Sequence, residues 1–209
     1  MGLEQIQLRP GMYVGNTADG TGLDNMVAEL VANAMAEAPP CDRIDVSLYD
    51  GDVVAVRDNG AGMPVETDPE WDVPLAELLV TQLGGAADFK VHPNRSEDLI
   101  GVGLPVVNAL SEEFAVRIWR GSLEYAMRFY LGAFVHRLQC TGAAGNYKGL
   151  PRRGTEIAFI PSPRFFTSTT YDFARLEQRL RKFEFFQCGI AITLADKRGG
   201  QTREATFAA

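Results

Sequence analysis

Residues 21–38 read TGLDNMVAELVANAMAEA, and this stretch constrains everything around it. Leu23, Met26, Val27, Leu30, Val31 and Ala34 return at helical spacing, which predicts one amphipathic helix with a buried apolar stripe. Thr21 is placed to cap its start, and Pro39-Pro40 end it. Glu29 and Asn33 lie four apart, so they share a face of that helix. They fall beside the apolar stripe rather than opposite it. A carboxylate and a carboxamide at the edge of a core need a reason, although the helix alone accommodates them as two solvated polar residues.

Composition removes several classes of function. The 209 residues are 46% hydrophobic and 22% charged, an ordinary globular balance with room for one large domain or two small ones. No apolar run is long enough to span a membrane, and the opening MGLEQIQLRPGMY lacks the basic and apolar regions of a secretory signal. Cys41, Cys140 and Cys188 are odd in number and far apart, which argues against a disulfide framework or zinc cluster and for a reducing cytoplasm. Two histidines, His92 and His136, make a His-rich metal site an unfavourable reading. A net charge of −7 argues against a free-standing nucleic-acid binder, because phosphate contacts need a basic surface. The short basic run over residues 148–153 reads as a solvated loop.

Taken in order, residues 1–20 are rich in breakers and read as loop, with Met12 and Tyr13 as anchors to a core. After the helix, Ile44, Val46 and Leu48 alternate with polar residues as in a half-buried strand. Asp50-Gly51 signals a hairpin, and residues 53–56 form the returning strand. That strand runs into Asp58-Asn59-Gly60-Ala61-Gly62-Met63-Pro64, where spaced glycines let a ligand approach the backbone. The same motif also reads as a turn with a surface Asp. A short helix is predicted over 74–82. Residues 84–100 show no periodicity, and a loop of that length is often a lid. Gly101-Val102-Gly103 then opens a helix over 104–110, where free N–H groups suit a phosphate. Residues 114–119 and 123–129 read as a hairpin, and 132–153 as a variable connection. Gly154-Thr155 opens a strand through Ile160, Phe173 to Phe183 has helical spacing, and Ile190, Ile192 and Leu194 form a late strand. This mixture predicts an α+β sandwich, a mixed and mostly antiparallel sheet with helices on one face.

Four signals stand in one order: Glu-x-x-x-Asn on a helix, Asp-x-Gly-x-Gly after a strand, Gly-x-Gly before a helix, and Gly-Thr opening a strand. That order resembles the GHKL ATPases, whose fold is the Bergerat two-layer α/β sandwich. Arg9 to Tyr13 (RPGMY), residues 101–111 (GVGLPVVNALS) and residues 153–162 (RGTEIAFIPS) are similar to the B-type subunits of bacterial type IIA topoisomerases, DNA gyrase and topoisomerase IV. The resemblance covers nearly all of residues 1–209, read as one domain with a lid over 84–100. It implies ATP and magnesium as ligands. Glu29 would be the general base that polarises the attacking water, and Asn33 would ligate magnesium. Asp58 would accept a hydrogen bond from the adenine amino group, with Thr155 supporting it. Gly60 and Gly62 would let the chain pass close to the nucleotide. Gly101, Val102 and Gly103 would cradle phosphate. Met63, Pro64 and Ile44 or Val46 would touch the base or belong to the core, with core the stronger reading for the strand residues.

The resemblance further implies a gyrase A-type subunit and DNA as partners through domains outside this chain, and a nucleotide-dependent homodimer in the full subunit. There are departures. The family has acidic residues where Ala32 and Ala36 stand, and an arginine at Ala61 that pairs with a carboxylate equivalent to Glu37. Its lid glycines are Glu97-Asp98 here, its lid lysine is matched only loosely by Lys90 or Arg95, and an arginine of the second hairpin is Ala126, with Arg128 nearby. Most of the family's N-terminal arm and its transducer domain are expected to lie outside these residues. Two readings follow: the ATPase domain of a topoisomerase subunit, and a stand-alone paralogue that senses nucleotide with little hydrolysis. A third is a GHKL fold that binds no nucleotide.

Overall fold

A computed structural model describes residues 3–36, 41–83, 103–147, 149–183 and 189–208. The chain opens with two short helices, α1 (Glu4–Leu8) and α2 (Gly11–Val14), where loop was expected. Each is too short to show a helical repeat in sequence. Ile6 and Val14 are their buried anchors, with Tyr13 partly buried, whereas Met12 is 72% exposed and anchors nothing. The long helix α3 (Thr21–Ala36) follows. Thr21 is not its cap: the Asp19 carboxylate accepts from both the N–H and the hydroxyl of Thr21, at 2.9 and 2.6 Å. Asp19 therefore satisfies the start of the helix from outside it.

Strands β1 (Arg43–Tyr49) and β2 (Val53–Asp58) form the expected hairpin around Gly51, whose φ of 75° needs no Cβ to be accommodated. The two-residue strands β3 (Thr67–Asp68) and β4 (Val73–Pro74) lead into α4 (Leu75–Thr81). Helix α5 (Leu104–Leu110) runs straight into the hairpin β5 (Ser111–Arg120) and β6 (Leu123–Tyr130). Next come β7 (Ala133–Ala143), a small ladder of β8 (Asn146–Tyr147) and β9 (Leu150–Pro151), and β10 (Gly154–Pro161). Helix α6 (Phe173–Arg181), capped by the Asp172 side chain, and strands β11 (Ala191–Asp196) and β12 (Arg203–Ala208) complete the described chain.

Eight strands form one sheet in the order β12-β11-β1-β2-β10-β5-β6-β7. Strands β1 and β11 run parallel, and the other neighbours are antiparallel. The central strands bury alternate residues under the helices: Ile44, Val46 and Leu48 on β1, Val54 and Val56 on β2, and Ile157 and Phe159 on β10. Helix α3 lies over β1, β2 and β10 and contacts α5 and α6. The result is the expected α+β sandwich, with one sheet face covered and the other carrying Arg43, Asp45, Arg57 and Glu156. Strands β7 and β12 are the two edges, and both lie where no strand was expected. On β7 only Phe134 and Leu138 are partly buried, and on β12 only Phe207 is buried, so neither has the alternation of a half-buried strand.

Candidate functional site

One row of side chains crosses the covered face of the sheet. Strand register places Phe207, Ile192, Ile44, Asp58, Thr155 and Ile118 side by side. Asp58 and Thr155 are polar, with three apolar residues on one side of them and Ile118 on the other. Asp58 is 4% exposed and Thr155 is 3% exposed. A carboxylate in such a row needs donors, and the backbone supplies them. Asp58 Oδ1 accepts from the Gly60 N–H at 2.7 Å, and both its oxygens share the Thr155 N–H at 3.2 and 3.1 Å. Burial nevertheless pushes the Asp58 carboxyl up to about 6, with the N–H groups of Gly60 and Thr155 opposing the rise. Each carboxylate oxygen has two lone pairs, so these bonds leave acceptor capacity for a ligand donor.

The loop beyond Asp58 is held from the far side. Thr155 Oγ1 accepts from the Met63 N–H at 3.0 Å, and Arg120 Nη1 donates to the Gly62 carbonyl at 2.8 Å. Gly62 has φ 81°, and a Cβ there would lie 2.9 Å from the Trp119 carbonyl oxygen. Gly154 has φ 102°, and a Cβ there would strike the Asp58 backbone. Both glycines are fixed by close approach of chain to chain. Gly60 is buried, and its N–H serves Asp58. Met63 is 2% exposed, Pro64 is half-buried, and Ile44 and Val46 are fully buried core.

Glu29, on α3, is 8% exposed, and its Oε2 accepts from the Gly103 N–H at 3.1 Å. The N–H expected to face a phosphate therefore meets the carboxylate expected to face water. Asn33, one turn further on, is half-buried. One turn before Glu29 on α3, Arg179 of α6 donates to Asn25 Oδ1 at 3.0 Å, and Arg175 pairs with the buried Asp24. Burial pushes the Arg179 guanidinium down, while the nearby Glu29 and Asp24 carboxylates oppose that shift. Arg179 and Arg120 were given no site role from sequence, whereas Gly154 was read there as part of the Gly-Thr pair that opens a strand.

Gly101, Val102, the lid over residues 84–100 with Lys90, Arg95, Glu97 and Asp98, and the helix carboxylate Glu37 all lie outside the described residues. Ala61 is exposed, and Ala32 and Ala36 are half-buried. Ala126 pairs with Arg117, and Arg128 follows two residues along the same face, where it pairs with Glu113 at 3.2 Å. Part of the basic run is more than a solvated loop, since Arg152 stacks on Trp119 at 3.7 Å.

Helix α3 packed over a mostly antiparallel sheet is the α+β sandwich of an ATP-binding domain class, and the chain belongs to the histidine kinase-, DNA gyrase B- and HSP90-like ATPase family, which it matches over residues 18–163. Those residues include Glu29, Asn33, Asp58 and Thr155. Within the family the chain is similar to DNA gyrase B proteins. The one from Rickettsia typhi is 40% identical over 209 residues, covering 99% of this chain and 25% of that protein. The one from Haloferax volcanii is 38% identical over 210 residues, covering 99% of this chain and 32% of that protein. The one from Treponema denticola is 37% identical over 211 residues, with the same two coverages of 99% and 32%. The chain thus spans about a quarter to a third of the length of these relatives. The likenesses favour an ATPase domain of the gyrase B kind over a stand-alone nucleotide sensor. Among the described residues no helix is long and apolar enough to cross a membrane.

Proposed function

We propose that this chain binds ATP with magnesium and hydrolyses it, as the ATPase domain of a gyrase- or topoisomerase IV-type B subunit. In the full enzyme that turnover would be coupled to DNA strand passage in the cytoplasm, with a gyrase A-type subunit and DNA as partners and a nucleotide-dependent homodimer as the working form. The observation that carries the reading is the buried polar pair Asp58 and Thr155 inside an otherwise apolar row. Asp58 would accept from the adenine 6-amino group, while the Gly60 and Thr155 N–H groups hold the carboxylate in place. Met63 and Pro64 flank that position on the loop. Gly60 and Gly62 would keep the loop low beside the nucleotide.

Glu29 would act as the general base on water. Its carboxylate is nearly excluded from solvent and accepts from the Gly103 N–H, which fixes where it lies beside the proposed phosphate site. Gly101, Val102 and Gly103 would line the phosphates once the nucleotide is in place. Asn33 fits magnesium in donor type, because a half-buried carboxamide oxygen is a hard ligand and this ion usually keeps phosphate and water in its shell. Among the described residues no three His, Cys, Asp or Glu converge as a metal cage, so the ion would arrive with the nucleotide. When bound, it would neutralise phosphate charge.

The test is base discrimination. A non-hydrolysable ATP analogue should bind at least about tenfold more tightly than its inosine counterpart, whose 6-oxo group sets an acceptor against the Asp58 carboxylate. Equal affinities would contradict the assignment of Asp58.

A further inference from the structure

The open face of the sheet carries a second constellation, across the sheet from Asp58. Arg57 lies between two rings, 4.3 Å from the Tyr147 centroid and 5.0 Å from that of Trp119. Arg152 covers Trp119 at 3.7 Å, and Arg43 approaches Tyr147 at 5.7 Å. A guanidinium drawn to a ring still needs acceptors for its N–H donors. For Arg57 and Arg152 the Nε donor is buried and has no acceptor among the described residues.

Beside this ladder lies a cavity of about 490 Å³, within the range that holds small ligands. Arg43, Arg57, Arg152 and Arg153 line it against one acid, Asp42, whose Oδ1 already accepts from Asn59 at 2.6 Å. Arg43 is already ion-paired with Asp45 at 3.2 Å, so the case for a ligand rests on Arg57 and Arg152, whose buried Nε donors have no acceptor among the described residues. Burial pushes the Arg152 guanidinium down, the neighbouring Arg57 charge adds to this, and Glu156 and Glu124 oppose it, so a bound anion would favour its charged form. Guanidinium forks match the oxygens of a phosphate, and several forks at one cavity match a polyphosphate.

We propose that the cavity lined by Arg43, Arg57, Arg152 and Arg153 is a second anion site, taking a multivalent phosphate such as pyrophosphate on the sheet face opposite the nucleotide. Its ligand is a small phosphate rather than a nucleic acid, because the acidic net charge of the chain disfavours a long polyanion.

Trp119 reports on this site directly. In a Trp71→Phe background Trp119 is the one remaining tryptophan, and its emission is followed during titration with pyrophosphate at low salt, with the nucleotide pocket saturated by a non-hydrolysable ATP analogue. The proposal expects a saturable change that persists with the analogue present. It expects at least about tenfold weaker binding in Arg152→Gln and a smaller loss in Arg153→Gln, at an exposed position. Circular dichroism of each variant checks that it is folded, and Arg153→Gln keeps the test open if Arg152→Gln is not. No saturable change, a change abolished by the analogue, equal affinity in folded variants, or a response to a short DNA duplex with none to pyrophosphate would each overturn it.

Discussion

The backbone N–H of Gly103 donates to Glu29 Oε2 at 3.1 Å, so the residue proposed to activate water also holds the start of helix α5. Chemistry and folding meet at this bond, and two substitutions separate them. Glu29→Gln keeps an acceptor for Gly103 but removes the base. Turnover should fall by about 10²–10⁴, with analogue affinity nearly unchanged. Glu29→Ala should lose turnover equally and also cost about 1 kcal/mol of stability, since it strands the Gly103 N–H. Steady-state phosphate release and urea denaturation check the two effects. Turnover at the parent rate in Glu29→Gln would remove Glu29 from the role of base.

Asp58 makes the domain sensitive to pH in two ways. Its folded-state value is raised from 3.8 to about 6, so the native state holds this proton more tightly than the unfolded chain does. The contribution of Asp58 to stability is therefore fully present below pH 3.8 and is lost as pH rises through 6. Asp58→Asn does not titrate, so between pH 4 and pH 7 it should gain up to roughly 3 kcal/mol on the parent. Denaturant midpoints of both proteins across that range measure it. Adenine binding has the opposite dependence, because an amino group needs the ionised acceptor. Analogue affinity should rise about tenfold per pH unit up to pH 6 and then level off.

Gly154→Ala should be severe. The residue holds φ 102°, and a Cβ there has no room beside the Asp58 backbone. Strain and collision together should cost about 3 kcal/mol or more, and nucleotide binding should weaken with it, because Thr155 would be displaced from Asp58. A fall in Tm with intact binding would show that the β2–β10 contact is more plastic than this geometry implies.

Much of this was legible in the sequence because burial writes a period. Ile44, Val46 and Leu48 alternate under the helices, and the stripe from Leu23 to Ala34 repeats at 3.6, so β1 and α3 stand where expected. Edge strands write no such period. Strand β7 has an exposed side along nearly all its length, and its 11 residues read as a variable connection. The candidate site residues Glu29, Asn33, Asp58 and Thr155 were proposed from a resemblance resting on spacing, whereas long-range partners around them had no such signal. Arg120 reaches the Gly62 carbonyl across 58 positions of sequence, and Arg179 reaches Asn25 across 154. Contacts at that separation leave no local pattern.

Glu77 ties α4 to the β7 edge and should behave unlike its ionic partner. Its carboxylate is 2% exposed, accepting from the Leu138 N–H at 2.8 Å and from Arg137 at 2.6 Å. Glu77→Ala strands a strand N–H and should cost about 2 kcal/mol. Arg137→Ala removes a mostly exposed side chain and should cost less than about 1 kcal/mol. Thermal denaturation of the two variants checks the order, and a reversed order would mean that the ion pair, not the N–H, holds the edge.

The central claim is that the Asp58 carboxylate meets an adenine ring. Isothermal calorimetry at pH 8, with magnesium and a non-hydrolysable ATP analogue, tests it most directly on the parent and on Asp58→Asn. The account predicts one-to-one binding to the parent and at least about a hundredfold loss in the variant, because an amide replaces a fixed anionic acceptor. Equal affinity in the two proteins, or no heat from a folded parent, would contradict it.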